Sequence, residues 1–254
     1  MPRALPTPDV ILQGDCLDRL PDVTPGSVDL AYLDPPFATG KRQTGRAGHA
    51  YEDSWPSTPA WLDFMRPRLE AVLASLSPTG AILVHCDWRT SHHLRVLLED
   101  LLGPDHFQNH LIWQYGLGGS SPKRFARKHD DILYYTASAK TWYFDPPMVP
   151  ATSQRLRGQM KKATDVLDVP SINNMAHERT GWPTQKPIAL LDLLVRACCP
   201  PGGTVLDPMC GSGTTLVAAA ASGRHYLGFD RSSDAVTIAR GRLDDLEKIA
   251  LAAG

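Results

Sequence analysis

An α/β fold, with a mostly parallel sheet flanked by helices, is the architecture this sequence predicts, on three observations. Short apolar runs alternate with helix-patterned segments along most of the 254 residues, the order that builds parallel sheets through crossover helices. Several of those runs stop on an aspartate or a turn residue, which places functional groups at the carboxyl edge of the sheet. The apolar fraction of 43% is that of a globular chain, far from a disordered composition. Length alone admits one large domain or two small ones. A single core spanning 1–254 with a modest insertion fits the size.

The elements follow in order. Val28 to Leu33 is an apolar run that leads straight into Asp34-Pro35-Pro36. Helical periodicity covers Trp61 to Leu76, and a Ser77-Pro78-Thr79-Gly80 turn then introduces a strand from Ala81 to His85 that stops at Asp87. A second helix is expected over Ser91 to Leu101 and a third over Pro187 to Cys199. Thr204 to Leu206 follows Pro200-Pro201-Gly202-Gly203 and stops at Asp207-Pro208. A helix over Thr214 to Ala221, a strand over His225 to Phe229 stopping at Asp230, and a helix over Ser233 to Leu251 complete the pattern. Two stretches lack it. Phe37 to Ser57 carries Lys41, Arg42 and Arg46 among glycines, and the stretch between Tyr143 and Pro183 holds Pro146, Pro147, Pro150 and Pro170 with Arg155, Arg157, Lys161 and Lys162. Long irregular segments inside a compact domain are usually functional or disordered.

The formal net charge of −1 provides no global cationic field of the kind that announces a nucleic-acid binder. Basic residues must then be concentrated on one face if the chain binds DNA or RNA. Five cysteines, an odd number, form neither a CxxC pair nor a Cys/His zinc spacing, so a reducing cytoplasm is the expected compartment. The N-terminal stretch from Met1 to Val10 has no signal-peptide pattern and no window approaches a membrane span.

Two segments carry the chemistry. Asp207-Pro208-Met209-Cys210-Gly211-Ser212-Gly213-Thr214-Thr215 lies between a short strand and a helix. Glycines there let backbone approach a ligand, and a helix N-terminus presents free N–H groups. Asp207 and the later Asp230 suit the hydroxyls of a ribosyl ligand. The run is not a P-loop, because no GKS or GKT follows, and Leu216 stands where GxGxxG needs its third glycine. An ordinary strand-to-helix turn is the plain alternative; the downstream acid favours nucleotide-type binding. In Asp34-Pro35-Pro36-Phe37, two prolines stiffen the backbone after a strand. Asp34 and the Pro35 carbonyl become acceptors that match the two N–H groups of an exocyclic amine, and Phe37 offers a flat face for a base. A proline turn capped by aspartate is the structural alternative, and it is the reading given to the second copy, Asp145-Pro146-Pro147.

Together these segments resemble the β class of DNA amino-methyltransferases, which combine an early (D/S/N)PP(Y/F) tetrapeptide with a late DPF.GSGTT cofactor loop, the order found here. Asp15 and Cys16 within Gln13-Gly14-Asp15-Cys16 are similar to the family's early GD motif, and Pro183-Thr184-Gln185-Lys186-Pro187 to its PTQKP segment. Asn109 to Trp113, Lys128 to Leu133, Asp168-Val169-Pro170 and Glu178-Arg179-Thr180-Gly181 also resemble the family pattern. Met209 departs from the usual phenylalanine but is likewise apolar. The resemblance implies a Rossmann-like methyltransferase fold with an antiparallel strand at one edge, and S-adenosylmethionine as cofactor. It assigns catalysis to Asp34, Pro35, Pro36 and Phe37. It assigns cofactor binding to Asp15, Cys16, Asp34, Thr184, Lys186, Asp207, Pro208, Met209, Gly211, Ser212, Gly213, Thr214 and Asp230.

Direct methyl transfer to an amino nitrogen is implied, with no covalent enzyme intermediate and no metal. Double-stranded DNA is the implied partner, with the target base flipped out of the helix. Residues 143–182, and within them the stretch around Ala151 to Met175, are the expected target-recognition insertion. Lys41, Arg42, Lys123, Arg124, Arg127, Lys128, Arg155 and Arg157 are the expected DNA contacts; solvated loops are the plain alternative, and the glycine-rich stretch Gly116 to Gly119 tilts the Lys123–Lys128 cluster towards DNA. Adenine N6 is favoured over cytosine N4 by family habit, since aspartate stands first in the tetrapeptide. A homodimer, and a cognate restriction endonuclease if the chain belongs to a restriction–modification pair, are further expectations. Carbon chemistry is disfavoured, because Cys198, Cys199 and Cys210 read as packing residues rather than nucleophiles. His85, His92 and His93 read as structural or surface histidines. A catalytically inactive DNA-binding module, or an enzyme acting on RNA or a protein amide, are the rival readings.

Overall fold

The structure is a computed structural model and describes residues 8–116, 120–151, 155, 157–173 and 176–253. Its strands are β1 (Val10–Gln13), β2 (Val28–Leu33), β3 (Lys41–Thr44), β4 (Ala50–Asp53), β5 (Leu76–Cys86) and β6 (Phe107–Gln114), followed by β7 (His129–Thr136), β8 (Met148–Pro150), β9 (Met160–Lys162), β10 (Val166–Asp168), β11 (Thr204–Asp207) and β12 (His225–Asp230). Eight of them form one mixed sheet in the order β1-β12-β11-β2-β5-β7-β6-β10. From β1 to β5 all neighbours pair in parallel, and β10 pairs in parallel with β6. Only β7 runs against its neighbours. The resemblance implied an antiparallel strand at one edge; that strand lies instead inside the sheet, because β6 and β10 pair beyond it.

Two small antiparallel hairpins, β3 with β4 and β8 with β9, stand outside this sheet. The first shows that the patternless stretch after Phe37 is ordered. The second lies within 143–182, where β10 joins the main sheet and Trp182 lines the cavity described below. The Ser77–Gly80 turn expected before a strand is a bulge within β5, where the pairing steps from Val28↔Leu76 to Leu30↔Ala81.

Alternation along the central strands explains the three layers. The helices are the short α1 (Cys16–Arg19), then α2 (Thr58–Ser75), α3 (Ser91–Leu102), α4 (Ile188–Cys198), α5 (Thr214–Ala221) and α6 (Ser233–Ala253). Ala31 and Leu33 of β2, Ile82 and Val84 of β5, and Leu133 and Tyr135 of β7 face one side. There they meet α2 and α3, which supply Trp61, Met65, Leu69, Leu94 and Leu98. Leu30, Tyr32, Ala81, Leu83, Ile132 and Tyr134 face the other, under α4 and α5. The buried positions of α2 recur at helical spacing, and its start is set by Ser57, whose hydroxyl accepts from the Ala60 N–H. α5 is buried almost all round because α4 and α6 flank it. All five cysteines are buried thiols, and no described helix is long and apolar enough to cross a membrane.

Candidate active site

The chain leaves β2 towards β5 and leaves β11 towards β12, in opposite directions across the sheet. A crevice opens at such a reversal, outside the carboxyl ends of the strands. Here it is a cavity of about 350 Å³ into which β2, β11 and β12 deliver Asp34, Asp207 and Asp230, and the turn after β1 delivers Asp15. That volume lies in the range of small-molecule sites. Apolar walls come from Phe64, Trp182, Pro208 and Met209.

Each acid is held differently. Asp207 is buried, and burial pushes its carboxyl up to about 7 against hydrogen bonds from Thr215 and the Met209 N–H, with Asp34 and Asp230 adding repulsion. Burial also raises Asp230, although its two oxygens accept from the Gly211 N–H at 2.8 Å and the Ser232 N–H at 2.9 Å. Asp15 feels burial too, but the Leu17 N–H and the Arg68 and Arg231 cations outweigh it and hold the carboxyl below its ordinary value. Arg68 donates to both Asp15 oxygens at 3.0 and 2.7 Å while stacking its guanidinium 3.6 Å from the Phe64 ring. Burial pushes the Cys16 thiol up to about 11, so it is no nucleophile.

The glycine loop is built as a cradle. Gly211 lines the cavity at φ 49°, and a Cβ there would lie 2.9 Å from the Trp182 indole nitrogen. Gly213 has φ 73° but does not reach the cavity; a Cβ would meet Ala239 of α6 at 2.6 Å. Its hydrogen-only side chain permits close packing of the loop on α6. Arg242 of α6 ties the loop from behind, donating to the Ser212 carbonyl at 2.7 Å and the Thr214 hydroxyl at 2.9 Å.

A second, small cavity adjoins the first. It is lined by Asp34, Pro35 and Phe37 together with Thr39, Asp53, Tyr51, Thr184 and Lys186. Asp34, Tyr51, Thr184 and Lys186 belong to both. The Asp34–Phe37 turn is pinned: the Trp61 indole N–H donates to the Pro36 carbonyl at 2.8 Å, and Asp53 accepts from the backbone N–H groups of Ala38 and Thr39 at 2.8 and 3.1 Å. Those bonds hold Ala38 at φ 56°, a strained conformation for a residue with a side chain. The Lys186 ammonium donates to Asp34 at 2.5 Å and lies 5.2 Å from the Phe37 ring centre. Thr184, at φ 57°, shares a hydrogen bond with the Tyr51 hydroxyl at 3.2 Å.

Of the expected cofactor residues, Asp15, Cys16, Asp34, Thr184, Lys186, Asp207, Pro208, Met209, Gly211, Ser212, Thr214 and Asp230 all line the larger cavity. Thr215, at the end of the glycine loop, lines it as well. So do Tyr32, Tyr51, Phe64, Arg68 and Trp182, unsignalled by the sequence. Their local surroundings in the chain are ordinary and only the fold gathers them. The expected DNA contacts lie elsewhere. Lys41 and Arg42 are exposed on β3, Lys123, Arg124 and Arg127 on the loop before β7, and Arg155 and Arg157 beyond β8. Lys128, on the loop before β7, is half-buried. Arg127 packs its guanidinium 3.4 Å from the Trp88 ring, and Phe125 between these cations is 97% exposed. Met1 to Thr7, Leu117 to Gly119 and parts of Ala151 to Met175 lie outside the described residues. The second DPP copy serves packing, since the Asp145 N–H bonds the Ala197 carbonyl of α4 at 2.9 Å.

The four carboxylates suit a cationic ligand bearing ribose hydroxyls, and the apolar walls suit a flat base, so the cavity fits S-adenosylmethionine. Residues 28–241 match a family model described as DNA methylase, the N6/N4 methyltransferases. The type II methyltransferase M.ScaI of Streptomyces caespitosus is 31% identical over 254 residues, covering 94% of this chain and 82% of that protein. The DNA adenine methyltransferase YhdJ of Escherichia coli K12 is 27% identical over 250 residues, covering 92% and 82%. Among solved structures, the PvuII cytosine-N4-specific DNA methyltransferase superposes with a TM-score of 0.69 at 17% identity, covering 95% of this chain and 88% of that one. The M1.HpyAVI complex with S-adenosylmethionine superposes with a TM-score of 0.66 at 20% identity, covering 92% and 98%. The chain is thus a member of the N6/N4 family of S-adenosylmethionine-dependent DNA amino-methyltransferases.

Proposed function

We propose that this protein methylates the exocyclic N6 of adenine in double-stranded DNA, on a base flipped out of the helix. The observation that carries the reading is Asp34, which stands at the junction of the two cavities. A methyl donor in the larger and an amine in the smaller would meet across it. S-adenosylmethionine supplies an electrophilic methyl group on a cationic sulfur. Asp34 and the Pro35 carbonyl accept the two N–H groups of the amine, which aims its lone pair at the larger cavity. The same oxygens stabilise the positive charge that grows on nitrogen, and their rigidity holds the near-attack geometry. Phe37 is the stacking platform for the flipped base. Asp15, Asp207 and Asp230 hold the ribose and the charged end of the cofactor, with Thr184 and the loop from Pro208 to Thr214 completing the site.

Adenine is favoured because aspartate opens the tetrapeptide and phenylalanine closes it, and because the adenine-specific relative aligns over most of both chains. Cytosine N4 is the second reading, on the fold shared with a cytosine-N4 enzyme. Phosphate contacts fall to Lys41, Arg42, Lys123, Arg124, Arg127, Lys128, Arg155 and Arg157, with 143–182 as the recognition segment. The assembly proposed is a cytoplasmic homodimer, paired with a restriction endonuclease where the system carries one. Mass spectrometry of nucleosides from DNA incubated with protein and S-adenosylmethionine tests this. N6-methyladenine is expected; N4-methylcytosine overturns the adenine assignment, and no methylated nucleoside overturns the enzyme reading in favour of an inactive binding module.

A further inference from the structure

His85 is fully buried at the carboxyl end of β5, and its contacts join the two cavities. Its ring stacks on Phe37, with centroids 5.6 Å apart and planes 29° apart. Nδ1 lies 2.7 Å from the Tyr32 hydroxyl, and Tyr32 lines the larger cavity. Nε2 lies 3.3 Å from Asp130, whose other oxygen accepts the Tyr115 hydroxyl at 3.0 Å. Trp113 closes the remaining side edge-on, at 5.6 Å and 89°.

The directions of these bonds follow from chemistry. Tyr32 is wholly buried among carboxylates, so its phenol stays protonated and its hydroxyl pairs with Nδ1. Asp130 can only accept, so Nε2 carries a hydrogen and donates to it. Burial pushes the Asp130 carboxyl up, but the hydrogen bond and charge of His85, the Lys186 charge and the Tyr115 bond more than offset this and hold it below its ordinary value. An imidazole bonded at both nitrogens cannot turn about its Cβ–Cγ axis without breaking two hydrogen bonds in a dry interior. Its plane is therefore fixed, and offset stacking passes that constraint to Phe37. A spacer would need only volume; leucine or phenylalanine would do.

We infer that His85 is a positioning residue for methyl transfer, setting the plane of the Phe37 ring on which the target base stacks. This rests on the reading of Phe37 as that platform. Tyr32 and Asp130 hold the imidazole and do not touch substrate in this scheme.

The test uses the full chain with S-adenosylmethionine and a duplex carrying 2-aminopurine at the methylated position, or pyrrolo-cytosine if cytosine is the target. His85→Phe keeps a stacking ring and removes both hydrogen bonds; His85→Gln keeps a donor and an acceptor. His85→Phe should retain cofactor affinity, melt lower because the Tyr32 hydroxyl and the Asp130 carboxylate each lose a buried partner, lose about 10- to 100-fold in kcat, and change the stacking-induced fluorescence of the flipped base. His85→Gln should recover part of both. Wild-type kcat and fluorescence in His85→Phe overturn the inference, as does a parallel loss of cofactor affinity and melting temperature in both variants, which marks a purely structural role. Phe37→Ala separates the two claims. If it leaves the fluorescence signal intact, the platform reading itself fails; if it removes the signal while His85→Phe does not, only the role of His85 fails.

Discussion

Asp207 is 2% exposed and Asp230 is bonded to two backbone N–H groups, whereas Phe125 is 97% exposed on a loop of cations. The two acids belong to the ligand cavity and the aromatic to the face assigned to DNA. In the cavity, carboxylates are taken out of water and held by bonds from neighbouring elements, so their burial is offset by preorganisation towards a cation. On the outer loops, long cationic side chains stay in water and act through their field, which needs reach more than fixed geometry. A chain of net charge −1 can bind a polyanion if its charges are segregated in this way. Changes in the cavity should act on chemistry and stability, and changes on the loops on affinity and its salt dependence.

The largest expected break in that contrast is Asp34→Ala. Removing one preorganised acceptor should lower kcat by about 10³-fold, with cofactor binding retained in a calorimetric titration. Near-normal turnover would sink the assignment of Asp34. Next comes Asp207→Asn. In the folded chain the carboxyl titrates near 7, against about 3.9 unfolded. The folded state thus binds this proton more tightly, so its contribution to stability is full below about pH 4, declines as pH rises to about 7, and is constant above. The cost at pH 8 is up to about 4 kcal/mol, at about 1.4 kcal/mol per pH unit. Thermal unfolding from pH 4.5 to 8 should show Asp207→Asn gaining stability on the wild type as pH rises; parallel curves would refute the buried-acid account.

Asp53→Ala sharpens the comparison within the cavity wall. It leaves the N–H groups of Ala38 and Thr39 without their acceptor, at about 1–3 kcal/mol of stability, and should lower kcat because the Phe37 turn loses its pin. Unchanged urea unfolding would show that water replaces the carboxylate. The smallest effect is expected from the loops. Lys123→Ala, Arg124→Ala and Arg127→Ala together should raise KM for DNA with kcat little altered. The slope of log affinity against log salt should fall by about 0.9 for each phosphate left without its cation. An unchanged slope would place the DNA elsewhere.

Much of this is legible in the chain itself. The helix over Thr214 to Ala221 and the strand over Val28 to Leu33 have the expected bounds, because a buried helix and a buried strand both announce themselves as apolar runs between turn signals. β1 and the β3–β4 hairpin were not legible: β1 is four residues long, and Lys41 to Thr44 holds no apolar residue at all. Twelve of thirteen expected cofactor residues line one cavity; Gly213 does not, since a glycine in a ligand loop and a glycine at a helix crossing look the same in sequence.

Local pattern thus determined the element types, the order of the two motifs and the chemistry each can perform, because these depend on residues near one another in the chain. Tertiary structure decided which groups face each other. Lys186 meets Asp34 across 152 positions and Arg68 meets Asp15 across 53, while His85, read in the sequence as an ordinary structural histidine, sits between Tyr32 and Phe37. Such pairings are set by strand order and by which face of each strand is covered. Periodicity specifies that a face is buried, and only the assembled sheet specifies against what.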